Sequence, residues 1–265
     1  MGILAERILL AVFLGYVLIC LLTYWWQERL LFHPTVLAKD FVFSFDTNFE
    51  ERYLEVAPDV ALHALHFKAE SPKGLVFYVH GNAGSLQDWG GLGGFYLEQG
   101  YDLLMFDYRG FGKSPGHIHS EQQFFDDVKA VYEWAKEQYA EEQIIIQGFS
   151  IGTATATKLA AENNPQQLVL KAPYYSMTSL VKSKVPFLPK MLLKYPFKTI
   201  NYLQQVTCPV TIFHGTRDEL IPHSNAERLK KDVPSVNLWL IEDCLHNDIP
   251  YTSIYKEKMK TILKQ

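Results

Sequence analysis

The sequence predicts an α/β fold in which a mostly parallel sheet carries helices on both faces. Short apolar runs alternate along the chain with segments whose apolar residues are spaced as in amphipathic helices. This alternation is typical of βα units, which place successive strands side by side in a parallel sheet. Most of the runs are apolar throughout, so we expect their strands to be covered on both faces. Residues 41–68, rich in Phe, Tyr and Val, are predicted to add two or three strands before these units.

The boundaries of the elements follow from the apolar runs and from helix-start signals. Strands are predicted at residues 74–80, 101–108, 143–149, 167–172, 209–215 and 237–243. Helices are predicted at residues 120–139, 150–163, 222–232 and 250–264. Ser120 suits the N-cap of the first helix, because its hydroxyl can accept a hydrogen bond from a free N–H of the first turn.

One long segment interrupts this alternation. Residues 173–206 contain four prolines and several large apolar side chains. The segment is too long for a plain connection and too broken by proline for a single helix. We therefore expect it to form a short cap over the site.

The N-terminus carries a membrane signal. Residues 8–26 are uncharged and end in Tyr-Trp-Trp. About 20 apolar residues of helix cross the hydrocarbon layer, and aromatic rings favour its interface. A cleaved signal peptide would carry small residues where these rings stand, and a buried helix is the third alternative. We predict a single-pass anchor in residues 1–28 and one catalytic domain in residues 29–265.

The flanks of this stretch give no orientation. Arg7 precedes it, whereas Arg29 and Lys39 follow it. The positive-inside rule needs a clear bias, so the side of the membrane that holds the domain stays open. Residues 30–34 (LLFHP) are expected to be a short connector.

Composition narrows the functional classes. The net charge of −4 argues against a nucleic-acid partner. No Gly-rich phosphate loop ending in Lys-Ser or Lys-Thr is present. The three cysteines have no metal-binding spacing. We expect no metal or organic cofactor, and the sequence carries no signal for an oligomeric state.

The stretch GFSIG at residues 148–152 is the main candidate for a reactive site. Ser150 follows a β-branched strand and precedes TATATKLAAE, a good helix beginning. A sharp strand-to-helix turn needs small neighbours, which Gly148 and Gly152 supply, and it raises the serine oxygen above the sheet. The motif alone also fits a structural turn, so its meaning depends on residues downstream.

A serine nucleophile needs a base, and the base needs an orienting acid. His246 follows the last predicted strand, and Asp218 follows the strand before it. The chain order Ser, Asp, His is the one that this strand-to-helix arrangement requires. Asp248 and Asp243 are alternative acids. The sequence therefore predicts a triad of Ser150, Asp218 and His246.

The turn HGNAG at residues 80–84 is expected to supply an oxyanion hole. A glycine-bearing turn presents backbone N–H groups, and we expect the N–H of Asn82 to act together with that of Ile151. His80 is expected to be structural and His214 to be a core residue.

Other residues near predicted strand ends have two interpretations each. Asp107 and Arg109 resemble a catalytic pair, but we interpret them as a structural ion pair or turn lock. Tyr174, Tyr175 and Met177 are predicted to line the substrate's acyl pocket, with plain packing as the alternative.

Together these motifs resemble the α/β-hydrolase superfamily. HGNAG, DYRGFGKSPG, GFSIG, HGTRD and LHND occur in family order, from about residue 31 onward. The resemblance implies an α/β-hydrolase fold with an eight-stranded, mostly parallel sheet and a short cap. The chain is most similar to a membrane-anchored subgroup that includes acyl-protein thioesterase-like, lysophospholipase-like and serine-peptidase-like hydrolases. Its depalmitoylating members carry an N-terminal cysteine cluster, whereas this chain has an apolar stretch there.

The sequence thus predicts a membrane-anchored serine hydrolase that cleaves a carboxylic ester or thioester through an acyl-enzyme. Its expected partners are the lipid bilayer and a small-molecule or acylated substrate, with no nucleic acid. The alternatives are an aminopeptidase-like amide hydrolase on the same triad, and a catalytically silent binding protein on this fold.

The predicted cap has a one-sided charge. Residues 163–217 contain no Asp or Glu. Lysines recur there among apolar residues, at Lys171, Lys182, Lys184, Lys190, Lys194 and Lys198. We expect the cap to rest on an anionic membrane surface, with a merely solvated cap as the alternative.

Overall fold

The structure is a computed structural model that describes residues 2–264. One eight-stranded sheet dominates it. The strands are β1 (Phe49–Ala57), β2 (Val60–Phe67), β3 (Leu75–Val79), β4 (Asp102–Phe106), β5 (Ile144–Phe149), β6 (Gln167–Lys171), β7 (Val210–Gly215) and β8 (Asn237–Ile241). Their order across the sheet is β8-β7-β6-β5-β3-β4-β2-β1. β2 pairs antiparallel with β1 and β4, and every other pairing within this sheet is parallel. The predicted fold class is confirmed.

The inner strands β3 to β7 are buried along their whole length, as their apolar sequences predict. The edge strand β8 differs, because Trp239 and Leu240 are each 38% exposed. This strand pairs with β7 on one side only. The expectation of cover on both faces is therefore wrong for β8.

The helices of the chain include every one that the sequence predicts. They are α1 (Gly2–Trp25), α2 (Gln27–Leu31), α3 (Leu86–Trp89), α4 (Gly93–Glu98), α5 (Glu121–Gln138), α6 (Gly152–Glu162), α7 (Met177–Lys184), α8 (Thr199–Leu203), α9 (Ser224–Asp232) and α10 (Ser253–Ile262). Helices α5, α6, α9 and α10 correspond to the four predicted segments. Ser120 caps α5, since its Oγ accepts a hydrogen bond of 3.1 Å from the N–H of Gln123.

Two regions differ from the expectation. Helices α3 and α4 occupy a glycine-rich stretch that lacks a clear helical period, and the Ser85 capping box begins α3. Residues 41–68 contain two strands, β1 and β2, within the two or three predicted there, but residues 41–48 form no strand. Phe43 and Phe45 instead pack their rings 6.0 Å apart and cover the face of β2. Aromatic packing decides this region more than strand propensity does.

The segment at residues 173–206 is irregular, as its prolines predict. It contains α7, α8 and a short turn of 3₁₀ helix at Lys190–Leu192. Tyr195 and Phe197 are fully buried and join the core cluster on this side of the sheet. These aromatic side chains hold the segment against the body of the protein.

Helix α1 is long and apolar enough to cross a membrane. None of its residues is buried in the protein. The helix begins before the predicted stretch and includes Glu6 and Arg7 near its start. It leads directly into α2, whose Gln27 is buried.

The close approach of α6 to β3 generates a prediction about stability. A Cβ atom at Gly152 would overlap with the backbone carbonyl oxygens of Val79 and His80, which cannot move without disturbing the sheet. We expect Gly152→Ala to lower the stability by about 1–3 kcal/mol, the usual cost of overpacking. Gly91→Ala is the matched control, because a Cβ there meets no atom within 4 Å. Thermal unfolding in detergent tests this, and equal melting temperatures for both variants would contradict it.

Candidate active site

Ser150 lies in a strained turn between β5 and α6. Its φ of +52° is in the left-handed region, which residues other than glycine adopt at a cost. The turn is fixed on both sides: the N–H of Ser150 donates to the carbonyl of Lys171 at 3.0 Å. Its carbonyl accepts from the N–H and the Oγ1 of Thr153, at 3.0 and 2.6 Å. These bonds hold the serine at the carboxyl end of the central strand.

Gly148 is required by the same turn. A Cβ atom at this position would lie 2.7 Å from the Cβ of Ala156 and 2.9 Å from the Cα of Thr153. The first turn of α6 therefore packs directly on the end of β5, and the sequence-based reason for small neighbours of Ser150 holds.

His246 is paired with Asp218. The Nδ1 of His246 lies 2.6 Å from the Oδ2 of Asp218, and both side chains are buried. The ring of Phe149 lies 5.0 Å from the imidazole ring and packs against it. Among residues 2–264, no hydrogen bond joins the Oγ of Ser150 to His246. Such bonds often tighten only when substrate is bound.

The Asp218 carboxylate is held ionised by its neighbours. Burial alone would raise its pKa, but hydrogen bonds from His214 and His246 outweigh this, and the pKa lies well below its ordinary value. The Nε2 of His214 is 3.2 Å from Oδ2. The N–H groups of Leu220 and Ile221 donate to Oδ1 at 3.0 and 2.8 Å. His214, expected only as a core residue, thus also contacts the acid.

The two alternative acids lie elsewhere. Asp248 is exposed, and its backbone forms part of the turn after His246. The Asp243 side chain is 79% exposed and lies 4.0 Å from Arg217. The carboxylate in contact with the imidazole is therefore that of Asp218.

The HGNAG turn is held by hydrogen bonds with residues 31–34. The carbonyl of Asn82 accepts from the N–H of His33 at 2.8 Å, and its Nδ2 donates to the carbonyl of Leu31 at 2.7 Å. His33–Pro34 pairs in parallel with Ala83–Gly84. The segment predicted as a plain connector is therefore a structural part of this turn, a contact that no local pattern reveals.

Two backbone N–H groups at the site are free. Ile151 directly precedes α6, and its carbonyl accepts from the hydroxyl of Tyr174 at 3.1 Å. Within the part of the chain that the structure describes, the N–H groups of Asn82 and Ile151 have no protein acceptor. They remain available to an anionic oxygen.

The predicted ion pair of Asp107 and Arg109 is not formed. Arg109 instead makes a bidentate pair with Asp127 of α5, with both N–O distances 2.7 Å. Asp107 points inward, where its Oδ1 accepts from the N–H of Leu86 at 3.1 Å and lies 3.8 Å from the Nε2 of His80. The two side chains, two positions apart in sequence, thus have separate partners.

The predicted acyl-pocket residues occupy different environments. Tyr174 is fully buried, and Met177 is nearly so. Tyr175 lies against α9, where its hydroxyl donates to Asp232 at 2.8 Å and the guanidinium of Arg228 lies 3.5 Å from its ring centroid. These contacts place Tyr175 in the packing between the cap and α9. An acyl-binding role for the three residues stays a prediction.

Lys171 is not one of the surface lysines of the cap. It is fully buried, its Nζ donates to the hydroxyl of Tyr78 at 2.6 Å, and burial lowers its pKa well below the ordinary value. The expected membrane-facing charge at this position is therefore wrong.

Among residues 2–264, no group of three or more His, Cys, Asp or Glu side chains has a metal-binding arrangement.

A set of hydrogen bonds, which we call the clasp, joins α2 to the cap. The buried side chain of Gln27 donates to the carbonyl of Leu192 at 2.9 Å and accepts from the N–H of Lys194 at 2.8 Å. Glu28 accepts from the Nζ of Lys194 at 3.1 Å and from the hydroxyl of Tyr195 at 3.0 Å. The chain that leaves α1 is therefore bonded both to the cap and to the HGNAG turn.

Comparisons with known proteins identify the family. A family model described as serine aminopeptidase, S33, matches residues 70–204. The α/β hydrolase domain-containing protein 17B of Xenopus laevis is 32% identical over 205 residues, which cover 74% of this chain and 68% of that protein. The chain belongs to the α/β-hydrolase superfamily. The human 17B protein is 31% identical over 200 residues, covering 72% of this hydrolase and 66% of the relative. Family and relatives make the chain a serine hydrolase, as predicted.

Solved structures agree with this fold. An esterase of Pyrococcus furiosus superimposes with a TM-score of 0.68 at 22% identity, covering 88% of this hydrolase and 97% of the esterase. Est1E of Butyrivibrio proteoclasticus gives a TM-score of 0.67 at 18% identity, with coverage of 81% and 99%. The hydrolase therefore has the α/β-hydrolase fold over most of its length.

The clasp generates a prediction about the cap. Gln27→Ala leaves the carbonyl of Leu192 and the N–H of Lys194 without their partner, which costs about 1–3 kcal/mol for a buried group. We expect the cap to open more often and trypsin to cleave after its lysines faster in the full-length protein. Gln122→Ala is the control, because that amide contacts only the exposed Asp126. Equal cleavage rates in the two variants would show that the clasp does not hold the cap.

Proposed function

We propose that this hydrolase cleaves a carboxylic ester or thioester, with Ser150 as nucleophile, His246 as general base and Asp218 as orienting acid. One observation carries the proposal: a buried Asp–His pair lies at the same sheet end as a serine in a strained strand-to-helix turn. A structural turn has no need of an imidazole whose Nε2 is left free of protein partners in the described chain. The relatives' description as α/β hydrolases supports the same chemistry.

The mechanism follows from the positions of the hydrogen-bonding groups. The Nε2 of His246 takes the proton from the Oγ of Ser150 as the oxygen attacks the carbonyl carbon of the substrate. The N–H groups of Asn82 and Ile151 then bind the negative oxygen of the tetrahedral intermediate. His246 returns the proton to the leaving alcohol or thiol. In the second half of the reaction, His246 takes a proton from the water that attacks the acyl carbon. It then gives this proton to the Oγ of Ser150 as the carboxylic acid leaves.

Asp218 fixes the tautomer of the imidazole. The Oδ2 of Asp218 accepts a hydrogen bond from Nδ1 of His246, so the single N–H of the neutral ring is at Nδ1. Nε2 then has a free lone pair. Because the carboxylate stays ionised well below neutral pH, it also stabilises the imidazolium that forms after proton transfer. It does not need to take the proton itself.

Substitution at the three positions tests these roles. Ser150→Ala should abolish both ester hydrolysis and labelling by a fluorophosphonate probe. Asp218→Asn should lower kcat by about 10⁴, as removal of the acid does in well-studied triads. Asp248→Asn is the matched control and should have little effect, because its carboxylate does not contact His246.

Four results decide between the alternatives. Probe labelling that persists in Ser150→Ala would refute the nucleophile, and a larger loss in Asp248→Asn than in Asp218→Asn would refute the acid. A wild-type protein that is folded but unlabelled would be a silent binding protein. Turnover of aminoacyl amides above that of p-nitrophenyl esters and acyl thioesters would favour the amide hydrolase.

We further propose that α1 anchors the enzyme in a bilayer with the cap against the lipid. The tip of the cap exposes Phe187 and Met191, which are 81% and 89% accessible. The hydroxyl of Tyr16 donates to the carbonyl of Phe187 at 2.8 Å. Tyr16 lies about 14 Å along the helix from Trp25, at about 1.5 Å per residue. A helix that spans the membrane would therefore hold this tip close to the lipid.

The charge of the cap supports contact with anionic lipid and can be tested. Each lysine near such a surface contributes about 1 kcal/mol, so neutralising three should lower hydrolysis of a vesicle-borne ester roughly tenfold or more. The cap variant replaces three exposed lysines with Gln: Lys182, Lys184 and Lys190. The control variant replaces three exposed lysines near the C-terminus: Lys256, Lys260 and Lys264.

The assay compares full-length protein in vesicles of anionic and of zwitterionic phospholipid. The wild type and the control variant should prefer the anionic vesicles, and the cap variant should lose this preference. Hydrolysis of a short soluble ester is measured in parallel to correct for the amount of active enzyme. If the cap variant still preferred anionic vesicles, the lysines of the cap would be solvated and would not bind the lipid.

A further inference from the structure

An apolar groove of about 280 Å³ lies on the side of the site opposite to the buried cap tyrosine Tyr174. Its apolar lining comes from Trp89, Leu92, Phe149, Pro250 and Tyr251. Its volume is at the low end of ligand pockets, which hold roughly 300–1,000 Å³. The groove has room for one extended chain rather than for a bulky ligand.

The groove adjoins the proposed reacting groups at three points. Its lining includes Phe149, Ala83 and Asn247. These residues are the direct neighbours in sequence of the proposed nucleophile, of the oxyanion-hole residue Asn82 and of the proposed base. The ring of Phe149 links this lining to the site, since it lies 5.3 Å from Trp89 and packs on the imidazole.

Two polar side chains of the lining, those of Trp89 and Asp88, already have hydrogen-bond partners within the protein. The Nε1 of Trp89 donates to the carbonyl of Ala83 at 3.2 Å. The Oδ2 of Asp88 accepts from the N–H of Ser85 at 2.9 Å, within the capping box of α3. Tyr251, which also lines the groove, is 68% exposed. Satisfied polar groups and exposed apolar surface both favour a hydrocarbon ligand.

The groove compares favourably with the cavity on the cap side of the sheet. Tyr174 and Met177 are buried in the core cluster. A cavity of about 290 Å³ between Arg29, Phe111 and Ile118 lies beside α2, and its lining contains no direct sequence neighbour of Ser150 or His246. The groove is therefore the better candidate for substrate.

We propose that this groove binds the hydrocarbon chain of the substrate and sets the chain-length preference of the enzyme. The inference rests on the proposed function, because it uses the proposed nucleophile to define the reacting centre. The chain belongs either to the acyl group or to the leaving alcohol. These two sources share the same chemistry, and substrates that vary one part at a time distinguish them.

The experiment uses full-length protein in detergent and two substrate series. One series runs from p-nitrophenyl acetate to the decanoate, and the other consists of acetates of alcohols from ethanol to decanol. Leu92→Trp narrows the groove and should lower the ratio of kcat/KM for long over short chains by about tenfold or more in one series. Leu92→Ala should shift the same ratio in the opposite direction. Val42→Trp adds the same ring at a position that is 81% exposed and should leave both ratios unchanged.

The results of this experiment distinguish an error in the proposed groove from an error in the proposed triad. A shift confined to the p-nitrophenyl series identifies an acyl chain, and a shift confined to the acetate series identifies the leaving group. Unchanged ratios in active Leu92 variants overturn the inference and leave the proposed function standing. If Leu92→Trp does not fold, Tyr251→Ser serves instead, because a side chain this exposed tolerates replacement; its loss should weaken turnover of long chains. Fluorophosphonate labelling of each variant reports separately on the nucleophile.

Discussion

The arrangement of the site depends on how closely helix α6 approaches strand β3. At Gly152 the helix backbone lies against the carbonyl oxygens of Val79 and His80, at a distance that admits no side chain. This contact brings the free N–H of Ile151, at the start of the helix, beside the turn that carries Asn82. The positive end of the helix and the turn can then act on the same anionic oxygen. Because Gly152 has no Cβ atom, the start of α6 can lie close enough to the HGNAG turn for the N–H groups of both segments to bind one oxygen.

Two ionisable side chains, Asp218 and Lys171, are both buried, yet their surroundings favour a charged carboxylate and a neutral amine. Burial opposes ionisation of both Asp218 and Lys171. Four hydrogen-bond donors surround the carboxylate, and its pKa falls. Lys171 has only the hydroxyl of Tyr78 and aromatic faces around it, and its pKa falls because nothing balances the loss of water. One group is thereby kept charged and the other is driven toward neutrality, within the same sheet.

Sequence reasoning succeeds here where the information is local. Ser150, Asp218 and His246 follow the strands β5, β7 and β8, and parallel strands bring their carboxyl ends to one edge of the sheet, so chain order and spacing are enough to predict that all three lie at that edge. The clasp between Gln27 and Lys194 has no local signature, because its hydrogen bonds join amide and backbone groups far apart in the chain. Partners of this kind depend on the packing of the whole fold. The glycine-rich stretch that forms α3 and α4 is missed for the related reason that tertiary contacts override weak helical propensity.

The hydrogen bonds of residues 27–31 limit where helix α1 could be replaced by another segment. The chain from Gln27 to Leu31 is the covalent continuation of α1, yet its hydrogen bonds belong to the catalytic body. A different targeting sequence joined at Trp26 would leave the clasp complete. A joint placed beyond Leu31 would remove the acceptor of the Asn82 side-chain amide and the side chains of Gln27 and Glu28, so the HGNAG turn would keep only its contacts with residues 33–35 on this side. Helix α1 is therefore replaceable only as far as Trp26, because the residues that follow it hold the cap and the HGNAG turn in place.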